Sequence, residues 1–153
     1  MAVSLKKSPL KPGEVLIGAL LRVPTEAIFR RIVRELNEAG FEGLALPHIA
    51  VMRYPGPDGE RPGVLAERAG ISKQAMNRLL GSLEELGYVK RTDASAKGHA
   101  RIVRFTRRGH AAWARIVESL RGIEREWSAE LGEKDFDRLK KLLIRVWESP
   151  LVR

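Results

Sequence analysis

The stretch from Leu65 to Val89, LAERAGISKQAMNRLLGSLEELGYV, constrains the chain most. It holds two helical patterns joined by a break too short for anything but a sharp turn. Gly70 follows the first pattern, and glycine permits the positive φ such a turn needs. Ser72 stands where an N-cap belongs, its hydroxyl placed to accept from the first free amides of the second helix. At about 100° per residue, Met76, Leu79, Leu80, Leu83 and Leu86 fall on one stripe, the face for a core. Gln74, Asn77, Arg78, Gly81 and Glu85 fall on the other, with Lys73 and Ser82 at its edges. The spacing predicts a helix-turn-helix whose second helix spans 72–86. Gly81 costs that helix about 1 kcal/mol relative to alanine, and close backbone approach is the expected reason for it.

The polar stripe has the residue types that read DNA. Arginine pairs with guanine, asparagine or glutamine with adenine, and lysine with phosphate or guanine. They gather in the N-terminal half, the end that recognition helices present to bases, whereas Glu84 and Glu85 lie at the departing end. A solvated helix face is the plain alternative, and the next segment weighs against it. Tyr88–Arg91 and Arg101–Phe105 are β-prone, and the turn-rich 93–98 between them predicts a hairpin. From Lys90 to Arg115 there are eight basic residues against one acid, Asp93, within a chain of net charge +9. Clustered positive charge is the footprint of phosphate contact. The DNA-facing candidates are therefore Ser72, Lys73, Gln74, Asn77, Arg78, Ser82, Arg91, Lys97, His99 and Arg101.

Leu65–Gly70, Ser72–Met76, Leu83–Arg91 and Thr106–Gly109 together resemble the multiple-antibiotic-resistance regulator (MarR) family of dimeric winged-helix transcription regulators. The resemblance runs over nearly the whole chain. It implies that Ser72–Leu86 is the recognition helix, Asp93–His99 the tip of the wing, and the terminal helices the dimer contacts. It further implies a repressor relieved by a small molecule that enters between the dimerisation helices and the winged helix. The effector itself is unknown, and His48 and Trp113 are the candidate contacts. In one respect the chain departs from the family, whose wings usually carry Asp-x-Arg near the tip. Lys97-Gly98-His99 stands there instead, so this wing is expected to supply affinity more than specificity.

The resulting fold class is mainly α with a small β-hairpin, a winged helix-turn-helix over 44–105 flanked by dimerisation helices over 13–40 and 107–148. At 153 residues the chain fits one domain with a real core. Val15–Leu21 is apolar almost all round. Pro24 and Thr25 are expected to punctuate it, Thr25 capping a helix that carries Ile28, Phe29, Ile32, Val33 and Leu36. Trp113, Ile116, Val117, Leu120, Ile123 and Trp127 form a later stripe. After Gly132, Phe136, Leu139, Leu142, Leu143, Val146 and Trp147 form another. Three such stripes around a winged helix exceed one small core, so Val15–Leu21, Ala111–Trp127 and Phe136–Trp147 are expected to build a homodimer interface.

Other chemistry finds little support. The three histidines, His48, His99 and His110, lack paired metal spacing and cysteine is absent, so no metal or cofactor is expected. His48, in an expected helix within 44–54, reads first as a structural residue. Pro55–Gly59 reads as a turn rather than a phosphate cradle, and no catalytic constellation appears. Lys6, Lys7 and Lys11 ahead of 15–21 faintly resemble a leader, but Arg22 interrupts a short apolar run. No segment approaches the roughly 20 apolar residues of a membrane span, and a reducing cytoplasm fits the lack of cysteine. The expected function is a sequence-specific, non-enzymatic regulator that binds duplex DNA as a homodimer on a near-palindromic operator. The alternative is a winged-helix protein-interaction or nucleoid-type module without operator choice.

Overall fold

A computed structural model of the chain describes residues 11, 13–53, 56, 59–95 and 98–152, with side chains left undescribed over 93–100. The elements are α1 (Ile17–Glu38), α2 (Leu46–Met52), α3 (Pro62–Ala69), α4 (Lys73–Glu85), β1 (Val89–Ser95), β2 (Gly98–Phe105), α5 (Arg107–Leu131) and α6 (Glu133–Trp147). The order is mainly α with one antiparallel hairpin. Among the described residues no helix is long and apolar enough to cross a membrane.

One core joins the helix-turn-helix to the long helices. Leu65, Met76, Leu80 and Leu83 from α3 and α4 meet Val51 and Met52 from α2 and Val89 and Val103 from the hairpin. Ile32 and Leu36 of α1 and Ala112 and Ile116 of α5 close the same cluster. The stripe expected on α4 is the buried one, with Met76, Leu80 and Leu83 fully enclosed. Gly70 takes φ +64° between α3 and α4, and the Ser72 hydroxyl accepts from Ala75 N at 3.1 Å.

Several boundaries differ from expectation. Pro24 does not end a helix, because α1 runs unbroken through it. A proline inside a helix lacks its own N–H, and here the Thr25 hydroxyl, instead of capping a new helix, donates back to the Leu21 carbonyl at 2.7 Å. The hairpin strands are longer than the β-prone runs, reaching Ser95 and Gly98, because backbone pairing continues through the residues expected to turn. A third segment joins them. Glu60 N donates to Val103 O at 3.1 Å and Val103 N to Glu60 O at 2.9 Å, an antiparallel bridge that sequence reasoning missed. Its signal was Gly59, which has φ +79° and lies against Val103 with no space for a Cβ.

The Ala111–Trp127 stripe is in part core of the chain itself. Ala112, Ile116 and Ile123 are buried within the chain, because that side of α5 packs on α1 and on the hairpin. Leu120 and Leu131 of α5 are exposed, and more exposed apolar surface lies at the chain's two ends. Val15, Leu16, Ile17 and Leu20 at the start of α1 are each more than half exposed, and on α6 Phe136 alone is buried while Trp147 is 70% exposed.

A charged cluster fastens α1 to α5. The Glu35 carboxylate accepts from Ser119 Oγ at 2.6 Å, Arg31 Nε at 2.7 Å and Arg115 Nη2 at 3.1 Å, and Arg31 reaches on to Glu126. The Ser119 hydroxyl first, and then Arg31, hold the Glu35 carboxyl below the usual carboxylate range. A carboxyl that holds its proton less tightly when folded stabilises the fold above its unfolded pKa of about 4.3, and that contribution is lost as pH falls through the folded value. Thermal stability should therefore fall from about pH 5 downward. Glu35→Gln should lower the midpoint at pH 7 and flatten this acid dependence. Parallel curves for the two proteins would show that Glu35 does not carry it.

Candidate nucleic-acid interface

The turn at Gly70 and the apolar stripe of α4 settle which side of α4 faces out. With Met76, Leu80 and Leu83 enclosed, Lys73, Gln74, Asn77, Arg78 and Glu85 are exposed, and Ser72 is exposed at the cap. The first turn carries no acid, so the positive end of the helix dipole and Lys73 act together on an approaching anion. Gly81 lies amid this face. A Cβ there would meet no heavy atom within 4 Å among the described residues, so no other part of the described chain requires a glycine here. The bare backbone instead leaves the middle of the polar face flat.

Ser82 is half-buried at the edge of that face and has a partner. Its Oγ lies 3.1 Å from Nε2 of His48, whose Nδ1 accepts from Ala45 N at 3.0 Å. Both ring nitrogens of His48 are thus used, one at the start of α2 and one on α4, and burial pushes its pKa down.

Among the hairpin basics the structure separates two groups. Lys90 and Arg101 are exposed. Arg91 is engaged by Glu84 on α4, with Nε and Nη2 donating to one carboxylate oxygen at 3.0 and 2.8 Å and its backbone N donating to the other at 3.0 Å. This pairing lowers the Glu84 carboxyl, Arg91 being the leading cause. The two glutamates expected where the helix leaves DNA therefore differ: Glu84 is a strut to the wing, and Glu85 is exposed. Arg108, counted with the basic cluster, stacks on the buried Tyr88 ring at 4.9 Å and donates to Tyr88 Oη at 3.2 Å and Gly40 O at 3.3 Å. Lys97 lies outside the described residues, as does the His99 side chain.

A second feature lies behind the helix-turn-helix. Ile28, Phe29, Ile49, Arg53, Trp113 and Ile116 are among the residues lining an apolar cavity of about 190 Å³ between α1, α2 and α5. Trp113 is in its wall and His48 is not. His48 turns instead toward α4. Among the described residues no cluster of three or more His, Cys, Asp or Glu could hold a metal ion.

Residues 50–102 match the model of the MarR family. No curated protein matches the chain. Among solved structures it resembles the MarR family protein Rv2887 of Mycobacterium tuberculosis in complex with salicylic acid. The two are 25% identical over 89% of this chain and 99% of that one, with a TM-score of 0.64. Rv2887 in complex with DNA matches at 25% identity over 87% and 98% of the two chains, TM-score 0.64. The transcriptional repressor CouR, bound to a 23-mer DNA duplex, matches at 23% identity over 92% and 100%, TM-score 0.71.

Proposed function

The chain belongs to the MarR family of DNA-binding transcription regulators, and from that premise we propose that it is a homodimeric, ligand-responsive repressor, not an enzyme, acting on a near-palindromic operator. The whole chain serves as one unit in this reading. Residues 44–105 read DNA, 13–40 with 107–148 pair two copies, and the cavity lies where α2 meets α1 and α5. The observation that carries the reading is the exposed face of α4, where Gln74, Asn77 and Arg78 stand clear of the core beside a basic hairpin.

Within that face Gln74, Asn77 and Arg78 take base edges, while Ser72, Lys73 and Ser82 take phosphate. On the wing, Arg101, Lys97 and His99 supply backbone contacts. Arg91 takes the role of a brace, since its guanidinium is already spent on Glu84. Arg78→Ala and Gln74→Ala should each cost about 1–3 kcal/mol and relax preference at one operator position. Arg101→Ala should weaken every duplex alike and lower the salt slope by about one. Binding titrations over a salt series on a selected and a random duplex check both. Equal losses on the two duplexes for Arg78→Ala would remove it from base readout.

For the effector, the cavity supports one aromatic ring. An apolar cavity of roughly 150 Å³ takes benzene, and this one is about 190 Å³ with Arg53 in its wall. Arg53 favours an anionic substituent at that end. Trp113 packs on the ligand, and His48 is withdrawn as a contact. Salicylate added to the protein–operator complex should release DNA, and Trp113→Ala should abolish that release.

A further inference from the structure

His48 stands between a donor, the Ala45 N–H, and the Ser82 hydroxyl, and the arrangement fixes where its proton lies. The Ala45 backbone N–H can only donate, so Nδ1, 3.0 Å away, is unprotonated and accepts. A neutral ring with Nδ1 bare carries its hydrogen on Nε2. Nε2 therefore donates to Ser82 Oγ at 3.1 Å. The Ser82 hydroxyl, accepting from His48, retains its own hydrogen, and among the described residues no acceptor takes it.

Ser82 follows Arg78 by one helical turn, at the flank of the exposed face of α4. A side chain in the middle of such a face meets base edges, and one on its flank meets the sugar-phosphate strand that walls the groove. A phosphate oxygen is an acceptor only, the complement of a hydroxyl whose lone pair is already engaged. We infer that His48 is a positioning residue for DNA binding: by donating to Ser82 it turns the serine hydroxyl into a fixed donor to a backbone phosphate. The inference rests on the DNA reading above. It assigns to α2, through His48, a part in setting the outer surface of α4, and it replaces effector contact as the role of this histidine.

The test is a set of binding titrations on a selected and a random duplex across a salt series. The proteins are wild type, Ser82→Ala, Ser82→Thr, His48→Ala, His48→Gln and the double Ala variant. Ser82→Ala should weaken both duplexes alike by about fivefold to tenfold. The salt slope should not change, because a neutral hydroxyl displaces no counterion. Ser82→Thr, which keeps the hydroxyl, should restore binding. His48→Ala should show a smaller loss of the same kind, and that loss should vanish in the Ser82→Ala background. His48→Gln, which keeps a side-chain donor, should recover part of it. A merely structural role for His48 predicts the same loss whether or not Ser82 is present, and that result would overturn the assignment. So would a Ser82→Ala loss confined to the selected duplex, or no loss at all. Should His48→Ala fail to fold, the Ser82→Ala, Ser82→Thr and His48→Gln comparisons decide by the same criteria. If wild type binds neither duplex, the DNA reading falls and takes this inference with it. If wild type binds and the serine series is flat, only this inference falls.

Discussion

Gly109→Ala should be the most damaging single change in the chain, lowering stability by about 3 kcal/mol or more. Gly109 is in the first turn of α5, and its own N–H is capped by the Thr106 hydroxyl at 3.0 Å. That hydroxyl donates in turn to the Gly87 carbonyl at 2.6 Å. The cap draws the start of α5 so tightly onto the end of the helix-turn-helix that a Cβ at 109 would overlap the Tyr88 carbonyl oxygen and lie 2.8 Å from a ring carbon of Phe105. Backbone against backbone has no rotamer by which to escape, so α5 would have to move off the wing. Tyr88 also carries the Arg108 stack and donates to the Glu42 carbonyl at 2.9 Å, so the movement would loosen the α1–α2 connection as well. A fall in melting temperature of roughly 10 °C is expected, with DNA affinity lost in parallel. Thermal unfolding of the variant checks this, and a melt unchanged within a degree or two would mean that the helix and wing are not locked together here.

The second large effect concerns assembly. Leu142, Leu143, Val146 and Trp147 of α6 are 42–70% exposed, and Val15, Leu16, Ile17 and Leu20 at the other end of the chain are 53–68% exposed. So much large aliphatic and aromatic surface is more than a monomer ordinarily leaves in water, and it is where the proposed dimer contact lies. Replacing Leu143 and Trp147 by Glu places two charges in that contact while touching little of the core. The expected product keeps its helical content and melting behaviour, sediments as a monomer, and binds the operator about 100-fold or more weakly, because each half-site is then held without its neighbour. A variant that remains dimeric with full affinity would place the interface elsewhere. Removing the residues through Leu21 should act in the same direction.

What was legible in the sequence was local and periodic. Ser72 as a cap, Gly70 as a left-handed turn and the stripe from Met76 to Leu86 all follow from spacing within a few residues, and the structure has them as expected. The hairpin was legible as a pair of β-prone runs but not in its length, because pairing beyond Arg91 depends on the partner strand. The exposed face of α4 followed from the same periodicity. The state of its individual residues did not: Arg91 is occupied by a glutamate seven residues before it, and Ser82 is engaged by a histidine 34 residues before it. Such pairings are tertiary, and composition gives no sign of which arginine in a basic run is spent internally. The stripe on α5 shows the same limit, since helical spacing marks an apolar face without saying whether α1 or a second chain covers it. Gly59 and Gly109 carried a readable hint, as glycines beside β-prone or capping residues, but the carbonyls that demand them, those of Val103 and Tyr88, belong to segments more than twenty residues away.

Selection of bound duplexes from a random pool, at one fixed salt concentration, tests the central claim most directly. Two copies related by a two-fold axis present their α4 helices as an identical pair. On one face of straight duplex both can enter the major groove only at sites about one helical turn, or roughly 10 base pairs, apart. The enriched sequence should therefore be an inverted repeat with that spacing, and inserting five base pairs between its halves should remove most of the specific affinity. An unenriched pool, an asymmetric single half-site, or affinity indifferent to spacing would contradict a symmetric, sequence-reading dimer.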